Sequence, residues 1–266
     1  MHFETFLIIA AWLMSKYATF HEAGDMSEGY YAGCYWPSRP EPIETCARRA
    51  EDFFRRISPL EPTWNQWHET GNSFAKARER HVPTDAAAFM KLFQRKKNRI
   101  GDDGFRFWLW AGDDPNETSS VDAYCGTGDP WATPLVCVLT PPGKGSVAER
   151  VLTAPIMAET VRAMALAWDP ECGVATSDLH RNTTWQRPQA GTFTGWITYI
   201  SRQRGTVPPL PAPVRIEPVE DKGTLIILTP ERFTASNPEH VTLAARVQEL
   251  LDRAGLLRPL QKPVAK

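Results

Sequence analysis

With 266 residues, of which 42% are hydrophobic and 23% charged, the chain has the composition of a globular protein with a substantial core. Its 30 Lys and Arg residues nearly balance its 31 Asp and Glu residues, which excludes the strong basic excess typical of nucleic-acid-binding proteins. The five cysteines are widely spaced and contain no C-x-x-C pair. They indicate neither a zinc site nor a redox motif, and they fit a reducing cytoplasm.

The start of the chain carries a short apolar run, "FLIIAAWLM" (6–14). It resembles the core of a signal peptide, but residues 1–5 contain no Lys or Arg, which a secretory signal requires. The run is also too short to cross a bilayer. We therefore expect residues 1–28 to form an N-terminal extension or a peripheral helix. Translation from Met26 would make the first 25 residues a mis-called extension.

The next hundred or so residues predict strands and helices without a regular alternation. Apolar residues recur at helical spacing in two segments, and branched or aromatic residues are concentrated in the others. The predicted elements are a strand at 30–35, a helix at 43–57, a short strand at 64–69 and a helix from Thr84 or Asp85 to about Lys97.

The segment "FRFWLWA" (105–111) predicts a strand whose two faces differ. One face holds Phe105, Phe107 and Leu109. The other holds Arg106, Trp108 and Trp110. The following residues 113–129 predict a long acidic loop or a loose hairpin, and "PLVCVLT" (134–140) predicts a central strand.

The last part of the chain begins with a predicted helix that Thr153 caps and that has Pro155 in its first turn. The stretch "GTFTGWITYIS" (191–201) then predicts a strand with large side chains on both faces. Trp196 is consequently either part of the core beneath a second layer or an anchor for a partner on an open face.

A hairpin and a helix complete the predicted elements. Residues 214–219 and 224–229 flank the turn sequence "EDKG". The final helix has Asn237 as its cap, Pro238 in its first position and Gly255 at its end.

These elements predict an α+β fold, with mixed, mostly antiparallel sheet or sheets packed with about four helices. We expect one domain over 29–258, or two lobes at about 29–145 and 146–258, followed by a flexible tail at 259–266.

The sequence contains no G-x-S-x-G, G-x-G-x-x-G or H-E-x-x-H motif, and it suggests no cofactor or metal. The Gly-rich segment 141–146 lacks the first Gly of a phosphate-binding loop. Three weaker candidate groups also fit ordinary structural roles: Cys172 with Asp178 and His180 as a thiol nucleophile, His68 with Glu69 as an acid/base pair, and 217–222 as a metal-binding motif. Sequence proximity alone does not support any of them.

The acidic segment 113–129 is the strongest functional feature of the composition. It gathers Asp113, Asp114, Glu117, Asp122 and Asp129, with Tyr124 inside it and Trp131 close by. A solvated loop is the simplest interpretation, and the spacing is too loose for a calcium loop. Acidic groups interleaved with aromatic residues favour a protein interface instead.

Three aromatic segments in order along the chain, "YYAGCYWPSRPEP", "FRFWLWAGDD" and "GTFTGWITYIS" followed by "GTLIILTPERF", resemble the Immunity protein 52 family of bacterial polymorphic-toxin systems. The resemblance covers roughly Tyr30 to Leu257. It implies an α+β protein that is encoded beside a toxin and has no catalytic residues.

The resemblance further implies that the partner is a restriction-endonuclease-type nuclease delivered by contact-dependent secretion such as type VI. An immunity protein binds this toxin in the cytoplasm of the producing cell and its siblings. Because a nuclease presents a basic cleft, the expected toxin-binding residues are acidic and aromatic. They are Trp108, Trp110, Asp113, Asp114, Glu117, Asp122, Tyr124, Asp129 and Trp131.

Two functions from other classes remain open from the sequence. One is a small hydrolase that uses Cys172 or His68. The other is an adaptor or chaperone of a secretion system. We expect no direct nucleic-acid or membrane binding, and the sequence does not indicate an oligomeric state.

Overall fold

A computed structural model describes residues 28–132, 134–184 and 189–260. Their strands form one eleven-stranded sheet in which each recorded strand pair is antiparallel. The strands are β1 (Tyr30–Trp36), β2 (Trp67–His68), β3 (His81–Val82), β4 (Arg99–Ile100), β5 (Gly104–Ala111), β6 (Ser119–Cys125), β7 (Leu135–Thr140), β8 (Cys172–Ser177), β9 (Ile197–Ser201), β10 (Arg215–Val219) and β11 (Gly223–Ile227).

The same residues contain seven α-helices. They are α1 (Ile43–Ile57), α2 (Phe74–Arg78), α3 (Ala86–Phe93), α4 (Ser146–Val151), α5 (Ala154–Trp168), α6 (Asp178–Thr184) and α7 (Pro238–Arg253). Within the described residues, we find no helix whose length and hydropathy would let it cross a membrane. The interpretation of residues 1–25 as an extension lies outside the described residues.

The strand order is β10-β11-β9-β8-β1-β7-β6-β5-β2-β3, with β4 also paired to β5. The centre of the sheet is therefore β8, β1 and β7, and the register places Cys34 opposite both Cys137 and Gly173. The apolar run 134–140 was predicted as a central strand, and β7 confirms this. All five cysteines are buried and free, as expected of small apolar side chains in a core.

Helices α1, α3 and α5 cover one face of the sheet. Phe54 of α1 packs against Phe107 of β5 with 5.8 Å between ring centroids, and Phe89 of α3 packs against the same ring at 5.2 Å. Trp168 of α5 stacks on Trp36 of β1 at 5.4 Å. The main hydrophobic core lies between this helical layer and the sheet.

The α+β class and the antiparallel sheet confirm the sequence prediction, whereas the number of about four helices is wrong. The four predicted helices are present as α1, α3, α5 and α7. The additional helices α2, α4 and α6 have five to seven residues each. Such short helices complete fewer than two turns, so an apolar periodicity cannot reveal them.

The helix ends agree with their sequence signals to different degrees. Helix α1 has its predicted bounds. Helix α3 begins after the predicted cap Asp85 but ends at Phe93, short of Lys97. Thr153 occupies the cap position of α5, but its side chain makes no capping hydrogen bond. The β10–β11 hairpin and helix α7 form as predicted, and Gly255 has φ +71°, the left-handed conformation in which glycine ends helices.

The predicted strand at 191–201 is shorter in the structure, because β9 contains only Ile197–Ser201. Upstream of it, the backbone N–H of Thr194 donates to the Gln248 side chain and that of Gly195 to the Thr198 hydroxyl. Because these two N–H groups donate to side chains, they cannot form the backbone hydrogen bonds that would extend the strand.

Trp196 belongs to the core, which decides between its two interpretations. Its side chain is completely buried. The indole Nε1–H donates to the Thr229 carbonyl oxygen at 2.9 Å, and the ring meets the edge of Tyr30. A side chain enclosed in this way cannot anchor a partner.

Candidate partner-binding surface

The thiol-nucleophile group proposed from the sequence is not assembled. Cys172 begins β8, whereas Asp178 and His180 lie on α6 beyond its end. Five strand steps of about 3.4 Å place the Cys172 backbone roughly 17 Å from that end. Burial raises the pKa of the Cys172 thiol to about 12, which keeps the thiol protonated and a poor nucleophile.

The His68 and Glu69 pair is part of the packing at the edge of the sheet. The His68 ring stacks on Trp110 at 5.1 Å, and burial lowers its pKa. Glu69 forms ion pairs with Arg95 and Lys97. Burial alone would raise the Glu69 pKa, but the hydrogen bonds from the two cations outweigh it and lower the pKa. This geometry gives both side chains structural partners.

The segment 217–222 forms the end of the β10–β11 hairpin. Glu217 pairs with Arg162 and Arg215, so its carboxylate already has cationic partners. Across the described part of the chain, no cluster of three or more His, Cys, Asp and Glu residues could hold a metal ion.

The acidic segment 113–129 supplies the turn and the second strand of a hairpin with β5, followed by a short loop. Strand β6 (Ser119–Cys125) lies inside it and pairs with β5 over seven residues. Of its two predicted forms, the hairpin is thus correct and the long loop is wrong. The expected toxin-binding residues are consequently divided among a turn, a strand face and a second loop.

Asp113 and Asp114 lie in the turn between β5 and β6. Asp113 is 77% exposed and forms an ion pair with Arg78 at 3.2 Å. Asp114 is exposed, and its Oδ1 accepts a hydrogen bond from the Asn116 backbone N–H at 2.7 Å. Both carboxylates face solvent and can act on a partner at a distance.

Glu117 serves the fold. Its Oε2 accepts hydrogen bonds from the Val147 backbone N–H at 2.8 Å and from the Ser146 hydroxyl at 3.0 Å. Both hydrogen bonds lower the Glu117 pKa, and the one from the Val147 N–H contributes most. The carboxylate therefore connects the β5–β6 turn to the start of α4.

Asp122 and Tyr124 lie on the face of β6 that points away from α1 and α3, beside Arg106 and Trp108 of β5. An Arg106 guanidinium nitrogen is 3.3 Å from Asp122 Oδ2. The guanidinium carbon Cζ of Arg106 lies 4.9 Å from the Tyr124 ring centroid. Burial raises the Asp122 pKa, although Arg106 opposes this shift. Burial also raises the Tyr124 pKa to about 12.

The three tryptophans of the expected surface differ in exposure. Trp108 is 38% exposed and Trp131 is 69% exposed. Trp110, expected to point outward, is buried because His68 stacks on it and Phe74 of α2 packs against it at 5.1 Å. Its exposure was predicted wrongly, since the strand alternation could not reveal the layer that α2 adds.

Asp129 and Trp131 lie in the loop that follows β6, at the other end of the hairpin from Asp113. Asp129 is exposed, and its Oδ1 accepts a hydrogen bond from the Trp131 backbone N–H. The eight residues of β5 separate the two ends by about 24 Å. The structure thus places acidic groups at both ends of one strand face instead of gathering them in one loop.

The sequence analysis missed several side chains on this face. The register places Val136 and Val138 of β7 beside Tyr124 and Asp122, and Tyr35 of β1 beside Val136. All three are half-buried. Arg106 was assigned to the Trp108 face but was not counted as part of the surface. The register between paired strands brings these side chains together, and it cannot be read from the local sequence.

Comparison with known proteins identifies the group to which the chain is related. No curated protein matches it. Among solved structures, the "Pseudomonas aeruginosa T6SS protein PA0821" matches with a TM-score of 0.50 and 12% sequence identity, covering 91% of this chain and 82% of that chain. At this identity the match shows a shared fold alone. The model of the Immunity protein 52 family matches residues 28–260, nearly all of the described chain. The chain belongs to the Immunity protein 52 family.

Proposed function

We propose that this protein is an immunity protein that binds and neutralises a cognate secreted toxin in the cytoplasm of the producing cell and its siblings. The family match over residues 28–260 is the observation that carries the proposal. The separation of Cys172 from His180 and the pairing of Glu69 are consistent with a binding role, because the candidate groups for hydrolysis are used elsewhere in the fold.

The toxin that we propose is a restriction-endonuclease-type DNase delivered by type VI secretion. The similarity of fold to a T6SS protein supports the delivery route. The exposed carboxylates of Asp113, Asp114 and Asp129 support a basic partner, since a nuclease must present cations to phosphates. The protein would then compete with DNA for the toxin.

Co-expression with the neighbouring open reading frame tests this function. We expect the neighbour to stop growth and cause DNA breaks when expressed alone, and we expect co-expression of this protein to restore growth with intact DNA. Growth arrest without DNA breaks would contradict the nuclease assignment and leave immunity standing. A harmless neighbour would contradict both and would favour an adaptor function.

The charge of the β5–β6 turn is expected to accelerate association with the toxin. Changing Asp113 and Asp114 to Lys should lower the association rate constant by about tenfold at low salt, because steering by opposite charges raises such rates by 10- to 1,000-fold. The dissociation rate should change less, since Asp113 is largely exposed. Stopped-flow measurements at several salt concentrations would report both rates.

The matched control changes Glu220 and Asp221 to Lys in the β10–β11 turn. These exposed residues lie at the opposite edge of the sheet, and the double variant has the same net charge change. We expect it to associate nearly as fast as the parent. Equal slowing of both variants would show a general charge effect, and no slowing of either would contradict steering.

A further inference from the structure

We propose that the toxin docks on the uncovered sheet face formed by β5, β6 and β7, and that it places a Lys or Arg side chain against Asp122. This inference rests on the proposed function and names the surface and the partner chemistry. The surface, hereafter the open face, consists of Arg106, Trp108, Asp122, Tyr124, Val136 and Val138.

The open face lies between two covered regions of the same side of the sheet. Phe74 of α2 packs on Trp110 of β5, and the cluster of Tyr31, Val174 and Phe193 packs against Tyr35 of β1. Residues of β6 alternate strictly between buried and half-buried, and those of β7 do the same. The buried set faces α1 and α3, whose Phe54, Phe89 and Phe93 pack on Phe107. The half-buried set belongs to the open face.

The open face is too apolar for a surface that meets only water. The solvated face of an antiparallel sheet normally carries polar residues. Here Val136 lies beside Tyr124 and Val138 beside Asp122, and Trp108 projects next to Asp122 with 38% of its surface exposed. Contiguous apolar surface of this kind marks interaction sites, and tryptophan is among the residues most enriched at their energetic centres.

Asp122 defines the chemistry of the partner. Its Oδ2 lies near Arg106, but its Oδ1 is buried and has no hydrogen-bond partner among the described residues. The Tyr124 hydroxyl is likewise buried and has no hydrogen-bond partner among the described residues. Buried acceptors without donors are rare and costly. Because Oδ1 itself is closed to solvent, a cationic side chain from the toxin would approach the Asp122 carboxylate through the 15% of this side chain that is exposed, beside Arg106.

The residues at the rim of the open face also favour a basic partner. Asp113 and Asp114 lie at one end of β5 and Asp129 at the other, all exposed. Arg106, the cation of the open face, is directed to Asp122 and Tyr124. Carboxylates at both ends and one in the centre complement a basic toxin surface, which is the occupant to which we commit.

Photo-crosslinking identifies the occupant directly. Benzoylphenylalanine at position 108 in the full-length protein should cross-link to the toxin, within a segment that contains Lys or Arg. The control is position 216, because Ile216 is 43% exposed on the edge strand β10, and it should give no toxin cross-link. Cross-links from position 108 to residues 1–27 of the same chain, or to a second copy, would overturn the inference.

Affinity measurements test the chemistry independently. Trp108→Ala and Asp122→Asn should each raise the Kd for the toxin by at least about tenfold, as truncation of central interface residues does. Ile216→Ala, at an exposed position on the edge strand β10 and far from the open face, should change the Kd less than about threefold. Thermal melts confirm folding, and Trp108→Ala decides the result if Asp122→Asn unfolds.

The outcomes distinguish this inference from the function on which it rests. If the parent protein neither protects cells nor binds the toxin, both are wrong. If the parent protects and binds, but the Trp108 and Asp122 variants bind equally well, only the docking surface is wrong. Loss of binding in these two variants, with the Ile216→Ala control unaffected, establishes the open face.

Discussion

Replacement of Trp196 by alanine is expected to lower the free energy of unfolding by about 3–5 kcal/mol, the range for truncating buried aromatic residues. The ring is completely buried and packs against Tyr30. Its Nε1–H donates to the Thr229 carbonyl oxygen. The alanine variant would leave both a cavity and a buried carbonyl oxygen without its donor. Urea unfolding followed by circular dichroism would measure the loss.

Two further variants separate the causes. Trp196→Phe removes the Nε1–H donor and the five-membered ring but keeps a six-membered aromatic ring in the core, so it should lose less stability than Trp196→Ala. Trp131→Ala removes a 69% exposed ring and should change stability by less than about 0.5 kcal/mol. If Trp196→Ala unfolded at the same urea concentration as the parent and lost only toxin binding, the assignment of Trp196 to the core would be wrong.

The second large effect is expected at Arg204, which fastens the end of the described chain to the sheet. Its side chain is fully buried. One guanidinium nitrogen donates to the carbonyl oxygens of Gly191, Leu256 and Arg258 at 3.0, 3.0 and 2.7 Å. Glu171 lies 3.6 Å from the other terminal nitrogen. Arg204→Met should therefore cost about 3–5 kcal/mol, because it leaves buried acceptors and a carboxylate without their cation.

Hydrogen exchange would show where the Arg204 variant fails. We expect faster exchange at Leu256 and Leu257, which are buried in the parent, and smaller changes in β1 and β7. Arg202→Met is the matched control, because Arg202 belongs to the same turn but is exposed. Uniformly faster exchange would mean that Arg204 stabilises the whole fold and does not specifically hold the end of the chain.

The parts of the fold that local sequence determines could be predicted. Helix α1 has its predicted bounds because its apolar spacing continues for four turns. The β10–β11 hairpin follows from its turn residues. Strand β9 begins later than predicted because distant side chains take the donors of Thr194 and Gly195, which β propensity cannot show.

The candidate site could be predicted only in part, because it depends on how distant strands and helices pack together. Alternation correctly placed Trp108 and Arg106 on one face, but the burial of Trp110 requires α2 and β2 as neighbours. The sequence places Glu117 in a solvated acidic segment, whereas its carboxylate accepts a hydrogen bond from the Val147 backbone N–H in α4, 30 residues further along the chain. Val136 and Val138 joined the open face only through the register between β6 and β7.

The most direct measurement of the central claim mixes the purified protein with the purified product of the neighbouring reading frame. Size-exclusion chromatography and a toxin activity assay are then applied to the same fractions. Neutralisation by binding predicts one stable complex in which the toxin is inactive, at a ratio that titrates its activity to zero. Protection of cells without any complex between the two proteins would contradict the account.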